Sequence, residues 1–239
     1  MSRSPPLQRR TGLALVAAGL LAGGAATVCW TSPWIAGRLD GLTSRVVFRA
    51  ETADSVVALT VDDGPSAVTP RLLDLLARHG ARATFFVLAD RIRRREGLAR
   101  RIVAEGHELG NHLVRDRPTW LLSREEVRAS VRRADSVLSR HGGTRWLRPG
   151  AGWVDDDVLS VAEEEGHQVA LGTVYPFDAW IHRPPVLASF VLRKVRPGSV
   201  IVLHEGPGRG AVAVEVLERV LPALRARGYR VVTLGRLME

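Results

Sequence analysis

The 239-residue chain is long enough for one large domain or two small ones, and with 46% hydrophobic and 25% charged residues it has the composition of a folded protein. Its formal charge of +9 comes mostly from arginines spread over helical segments, with neither a basic stripe interleaved with aromatics nor a DNA or RNA motif. This argues against nucleic-acid binding and leaves a diffuse field suited to anionic polymers of a cell wall or membrane surface. The only cysteine, Cys29, excludes an intrachain disulfide and a cysteine zinc site.

Arg3, Arg9 and Arg10 precede an apolar segment from Thr11 to Trp30 that is long enough to cross a bilayer. Residues 1–30 therefore read as a signal peptide or a membrane anchor. Small residues at Gly24 and Ala26 permit cleavage, whereas the length of the run favours an uncleaved anchor. Either way the remainder is expected to be extracytoplasmic, with the membrane as a partner if the segment is retained. Residues 31–50, with Ser-Pro-Trp and mixed polar positions, suit a linker, and the folded domain is expected over 51–239.

Strand-like apolar runs recur at 56–61, 83–88, 108–111, 146–147, 168–172, 200–204 and 229–233, with helical spacing between several of them. Ser123 and Glu126 form a capping-box pattern, Gly142-Gly143 supplies a stop, Asp155 to Asp157 load a helix N-terminus, and Pro185 suits a first turn. Alternating strands and helices predict an α/β fold with a parallel sheet and helices outside it. About seven units point to a barrel or near-barrel, with a doubly wound open sheet as the alternative.

The first of these runs, Val56 to Val61, stops at Asp62-Asp63-Gly64-Pro65. Alone, two acids before Gly-Pro are equally turn formers. However, His112 follows the third run, Arg148 the fourth, Asp178 lies a few residues past the fifth and His204 ends the sixth. In parallel α/β folds the C-terminal strand ends converge on one face, where chemistry is found. Five strand ends thus deliver titratable groups to one mouth.

This constellation resembles the polysaccharide deacetylases of carbohydrate esterase family 4, from about Val56 to the C-terminus. The family's Thr-Phe-Asp-Asp-Gly-Pro motif appears as Thr60-Val61-Asp62-Asp63-Gly64-Pro65, Ala83 to Val87 is similar to its second strand, and Gly106 to His112 is similar to the approach to its second motif. The resemblance implies a distorted (β/α) barrel and N-deacetylation of an acetylated amino sugar, with an N-acetylated glycan such as peptidoglycan or a chitin-like polymer as substrate. It implies Asp62 as general base, His204 as general acid, and Asp63 and His112 as ligands of a divalent metal, zinc first, with manganese, cobalt and nickel as the other candidates. Amide hydrolysis needs an activated nucleophile, a stabilised oxyanion and a proton for the leaving amine, which such a set supplies.

Two motifs depart from the family pattern. The second histidine of His-Ser/Thr-x-x-His is replaced by Asp116 in His112-Leu113-Val114-Arg115-Asp116. Asp116 either completes the metal set, adding a negative charge that favours harder metals, or pairs with Arg115 or Arg117. The third motif, usually Arg-Pro-Pro-aromatic-Gly, reads Arg148-Pro149-Gly150-Ala151-Gly152-Trp153. By resemblance Arg148 orients Asp62 and the Ala151 backbone N–H assists at the oxyanion, with Trp153 replacing the missing aromatic wall. Asp178-Ala179-Trp180 is similar to a fourth motif, Asp178 supporting His204 and Trp180 stacking on a sugar. These departures leave two rival functions, a catalytically silent glycan-binding protein of the same fold and an amidohydrolase for a small non-sugar amide. Gly206-Pro207-Gly208-Arg209-Gly210 reads as an ordinary loop, since Pro207 lacks an N–H for phosphate.

Overall fold

A computed structural model of the protein describes residues 45–239. The expected signal peptide or anchor over 1–30, and most of the expected linker, lie outside the described residues. Among the described residues no helix is long and apolar enough to cross a membrane.

Strands β1 (Val46–Val47), β2 (Val56–Gly64), β3 (Ala83–Val87), β4 (Glu108–Asn111), β5 (Trp146–Leu147), β6 (Gln168–Ala170), β7 (Val200–His204) and β8 (Arg230–Val232) form one sheet. Its order is β1-β6-β5-β4-β3-β2-β7, with β8 alongside the start of β2, and every strand pair is parallel. The two edges meet. Arg49, just past β1, bridges Ser199, just before β7, and Val174, past β6, bridges Ile201 within β7. The sheet is therefore a distorted barrel and not the doubly wound alternative, whose edges stay apart.

The helices between the strands are α1 (Thr69–Arg78), α2 (Ala89–Arg94), α3 (Glu96–Ala104), α4 (Arg124–Leu138), α5 (Asp156–Glu164), α6 (Pro184–Lys194) and α7 (Gly210–Ala226), and α8 (Leu234–Leu237) follows β8. Their starts follow the predicted chemistry. Ser123 and Glu126 make a reciprocal capping box on α4, the Asp155 side chain accepts from the Val158 N–H at the start of α5, and proline occupies the first turn of α6.

Strand β2 is buried along its whole length because it has strands on both sides and helices behind it. Its side chains alternate. Val57, Leu59 and Val61 pack outward with Leu72, Leu73 and Leu76 of α1 and Leu217, Val220 and Leu221 of α7. Ala58 instead joins Phe86, Trp146, Ala170 and Val200 inside the barrel. With a period of two, Thr60 and Asp62 share the inward face of Ala58.

Strand β1 falls within the expected linker. Val46, Val47 and Phe48 are buried, and the Leu171 N–H donates to the Val47 carbonyl at 2.9 Å. The folded unit thus begins before residue 51. A two-residue strand carries no periodicity, so composition alone assigned it to the tether.

Candidate active site

The two acids at the end of β2 should point to opposite faces of the sheet, since successive strand residues do. A bulge prevents this. Asp62 pairs with Phe86 and Gly64 with Val87, leaving Asp63 as the extra residue at φ 67°. The left-handed turn at Asp63 brings its carboxylate to the mouth beside that of Asp62. Arg91 donates to the Asp63 carbonyl, and the Glu205 N–H donates to the Asp62 carbonyl at 3.0 Å.

Arg148, at the end of β5, is buried and fully engaged. Its Nη1 donates to Asp62 Oδ1 at 2.6 Å and to Thr60 Oγ1 at 2.8 Å, while Nε and Nη2 donate to the carbonyls of Ala170 and Leu171. The guanidinium lies over the Phe86 ring. Burial pulls its pKa down, against the opposing pull of Asp62. Asp62 is thereby held in one orientation, with Oδ2 left for the mouth.

Across from Asp62 stands His204, whose Nε2 is 3.9 Å from Asp62 Oδ2, too far for a hydrogen bond and close enough for one reacting atom beside them to contact both. Asp178, wholly buried, clamps His204 from behind, accepting from its Nδ1 at 2.9 Å and from its backbone N–H at 2.7 Å. Burial alone would lower the His204 pKa. The hydrogen bond and charge of Asp178, with the charges of Asp62 and Asp63, outweigh it and raise the pKa to about 9. With Nδ1 committed to Asp178, the His204 Nε2 is the ring nitrogen turned toward Asp62.

His112 completes the other side. Its Nδ1 is 2.7 Å from the Arg148 carbonyl, which only accepts, so Nδ1 carries a proton and Nε2 is turned toward Asp63. Nε2 is 3.6 Å from Asp63 Oδ1. An ion bound about 2.1 Å from each in tetrahedral geometry would separate them by about 3.4 Å. Asp116 joins them: one ligand atom from each of Asp63, His112 and Asp116 lies within 4.8 Å of the other two. Among the described residues Asp116 has no ion-pair partner, and Arg115 pairs instead with Asp90 at 2.7 Å. Burial, with repulsion from Asp116 and Asp62 and against the attraction of His112 and His204, pushes the Asp63 carboxyl above the usual range. A cation there would reverse that shift. The donor set and spacing fit a divalent metal.

A family model described as polysaccharide deacetylase matches residues 49–170. The chain belongs to the polysaccharide deacetylase family. It is 36% identical to a chitooligosaccharide deacetylase of Sinorhizobium fredii, over 77% of this chain and 93% of the relative. Among solved structures, the Bc1960 peptidoglycan N-acetylglucosamine deacetylase superposes with a TM-score of 0.77 at 31% identity, covering 81% of this chain and 92% of that one. BA3943, a family pseudoenzyme from Bacillus anthracis, superposes at 0.74 with 26% identity, covering 84% and 71%.

The remaining residues singled out in the sequence, Ala151, Trp153 and Trp180, are all at least partly exposed. Ala151 is exposed in a left-handed conformation at φ 56° within the turn Gly150–Gly152. Trp153 is half-buried and meets exposed Trp120 edge to face, with ring centroids 5.5 Å apart. On the His204 side, Trp180 is 68% exposed and stands beside Tyr175 and Phe177. Sequence reasoning missed Tyr175, which packs edge-on to His204 at 5.5 Å, and Arg91 and Arg209, which reach Asp63 from the start of α2 and from the loop before α7. It also missed Glu205, buried under Gly64 and held by the hydroxyls of Ser66 and Thr69, whose pKa burial raises to about 7. Only Glu205 carried a sequence signal, its position directly after His204.

Proposed function

We propose that this chain is a metal-dependent hydrolase that removes N-acetyl groups from amino sugars of an extracytoplasmic polysaccharide such as peptidoglycan or a chitin-like glycan. The observation that carries this reading is the hydrogen-bonded His204–Asp178 pair facing Asp62 beside the Asp63, His112 and Asp116 cluster. A divalent ion held by those three residues would supply Lewis acidity toward a water and the acetamide carbonyl. Asp62, oriented by Arg148, accepts the proton of the attacking water through Oδ2. His204 gives its Nε2 proton to the departing amine, and Asp178 stabilises the charged ring until then. The Ala151 N–H assists at the developing oxyanion, while Trp153 and Trp180 offer faces to the sugar rings on opposite sides of the mouth.

Replacing a histidine by Asp116 lowers the net charge of the ligand set and favours harder ions, so manganese and cobalt stand beside zinc as candidates. The apolar segment over 1–30 supports export or anchoring. Because a pseudoenzyme shares the fold, turnover is the deciding property. The purified full chain should release acetate from oligomers of N-acetylglucosamine in a metal-dependent manner. Glycan binding with no acetate under zinc, cobalt, manganese or nickel would overturn the proposal in favour of a silent binding protein. Hydrolysis only of small non-sugar amides would move the chain to another substrate class.

A further inference from the structure

The loop Gly206-Pro207-Gly208-Arg209-Gly210, unremarkable in sequence, lies directly against Asp63. A Cβ at Gly206 would sit 2.8 Å from Asp63 Oδ2, an approach that glycine alone permits. At the other end of the loop, a Cβ at Gly210 would fall 2.2 Å from Val68 Cγ2. Seated this closely, the loop directs Arg209 inward, and its Nη1 donates to Asp63 Oδ2 at 3.1 Å. The other oxygen, Oδ1, faces His112. Arg91 touches only the main-chain carbonyl of Asp63, so Arg209 is the cation on the carboxylate itself.

This contact bears on the charge of the ligand set. Two aspartates and a neutral histidine cancel a divalent ion, whereas one aspartate and two histidines leave one positive charge. We propose that Arg209 sets the charge of the metal site. It donates to one oxygen of Asp63 while the other faces the ligand cluster, and its guanidinium restores the positive charge that Asp116 removes. The inference rests on Asp63, His112 and Asp116 being the ligands, as in the function proposed above.

Arg209 is the partner whose removal should tighten ion binding, because its charge opposes the ion's. Its side chain is 31% exposed, so solvent screens part of that opposition and the effect is about tenfold. The test is calorimetric titration of the metal-stripped full chain with zinc and with manganese. Arg209→Gln should bind about tenfold more tightly than wild type, while Arg209→Lys, which keeps the charge, should stay close to wild type. Unchanged or weaker binding in Arg209→Gln would overturn the inference and leave the ligand assignment standing. Equal tightening in both variants would also overturn it, since charge would not be the cause. A wild-type chain that binds neither ion would overturn both this inference and the metal site beneath it.

Discussion

Asp178→Asn separates the charge of the His204 clamp from its shape. Both groups that Asp178 engages, the His204 Nδ1–H and the His204 backbone N–H, are donors. Asparagine offers one oxygen and one amide nitrogen, so one of those donors must face another donor. The two largest causes that raise it are then lost, and the His204 pKa should fall from about 9 toward its ordinary 6.5. The rise from 6.5 to about 9 corresponds to about 3 kcal/mol of stabilisation at 1.36 kcal/mol per unit. Because the folded pKa is raised, that contribution is complete below about pH 6.5 and disappears as pH rises through about 9.

Urea unfolding of the metal-stripped full chain at pH 6.5 and 9.5 should therefore show wild type losing about 3 kcal/mol more than the variant between the two conditions. Glu205, with its pKa near 7, titrates in both proteins and cancels in the difference. At neutral pH the variant should also lose about a hundredfold in kcat/KM, in the range expected for a missing general acid. An equal stability gap at both pH values, or a His204 ring that still titrates near 9 by NMR in the variant, would refute the role given to Asp178.

Two further substitutions probe the metal set and the glycan rim. Asp116→His replaces a hard oxygen ligand by imidazole, so the ratio of manganese to zinc dissociation constants should rise about tenfold; an unchanged ratio by calorimetry would remove Asp116 from the ligand set. Trp180→Ala should leave urea stability within about 0.5 kcal/mol, because the ring is mostly exposed, yet raise KM for acetylated oligomers roughly fivefold with kcat unchanged. A variant with wild-type KM would exclude stacking on the substrate.

Much of the fold was legible because its strands are short apolar runs ending in polar residues, and their order in sequence already places Asp62, His112, Arg148, Asp178 and His204 at one end of a parallel sheet. The capping box at Ser123 and Glu126 follows from local chemistry and formed as expected. What escaped depends on contacts distant in sequence or on backbone geometry. The bulge that turns Asp63 beside Asp62 is a left-handed conformation at a non-glycine residue, for which the sequence holds no local signal. Arg209 reaches Asp63 across 146 residues, and its loop resembles any glycine-rich connection until the sheet brings β2 and β7 together. β1 was hidden by its length, since two valines in a polar context have no period to detect.

The site is most directly tested by an anomalous difference map from crystals of the full chain soaked in zinc or manganese. The expected result is a single ion about 2.0–2.2 Å from one ligand atom each of Asp63, His112 and Asp116. A map without a peak there, or with the ion ligated by other residues, would contradict metal-assisted hydrolysis at the mouth of this barrel.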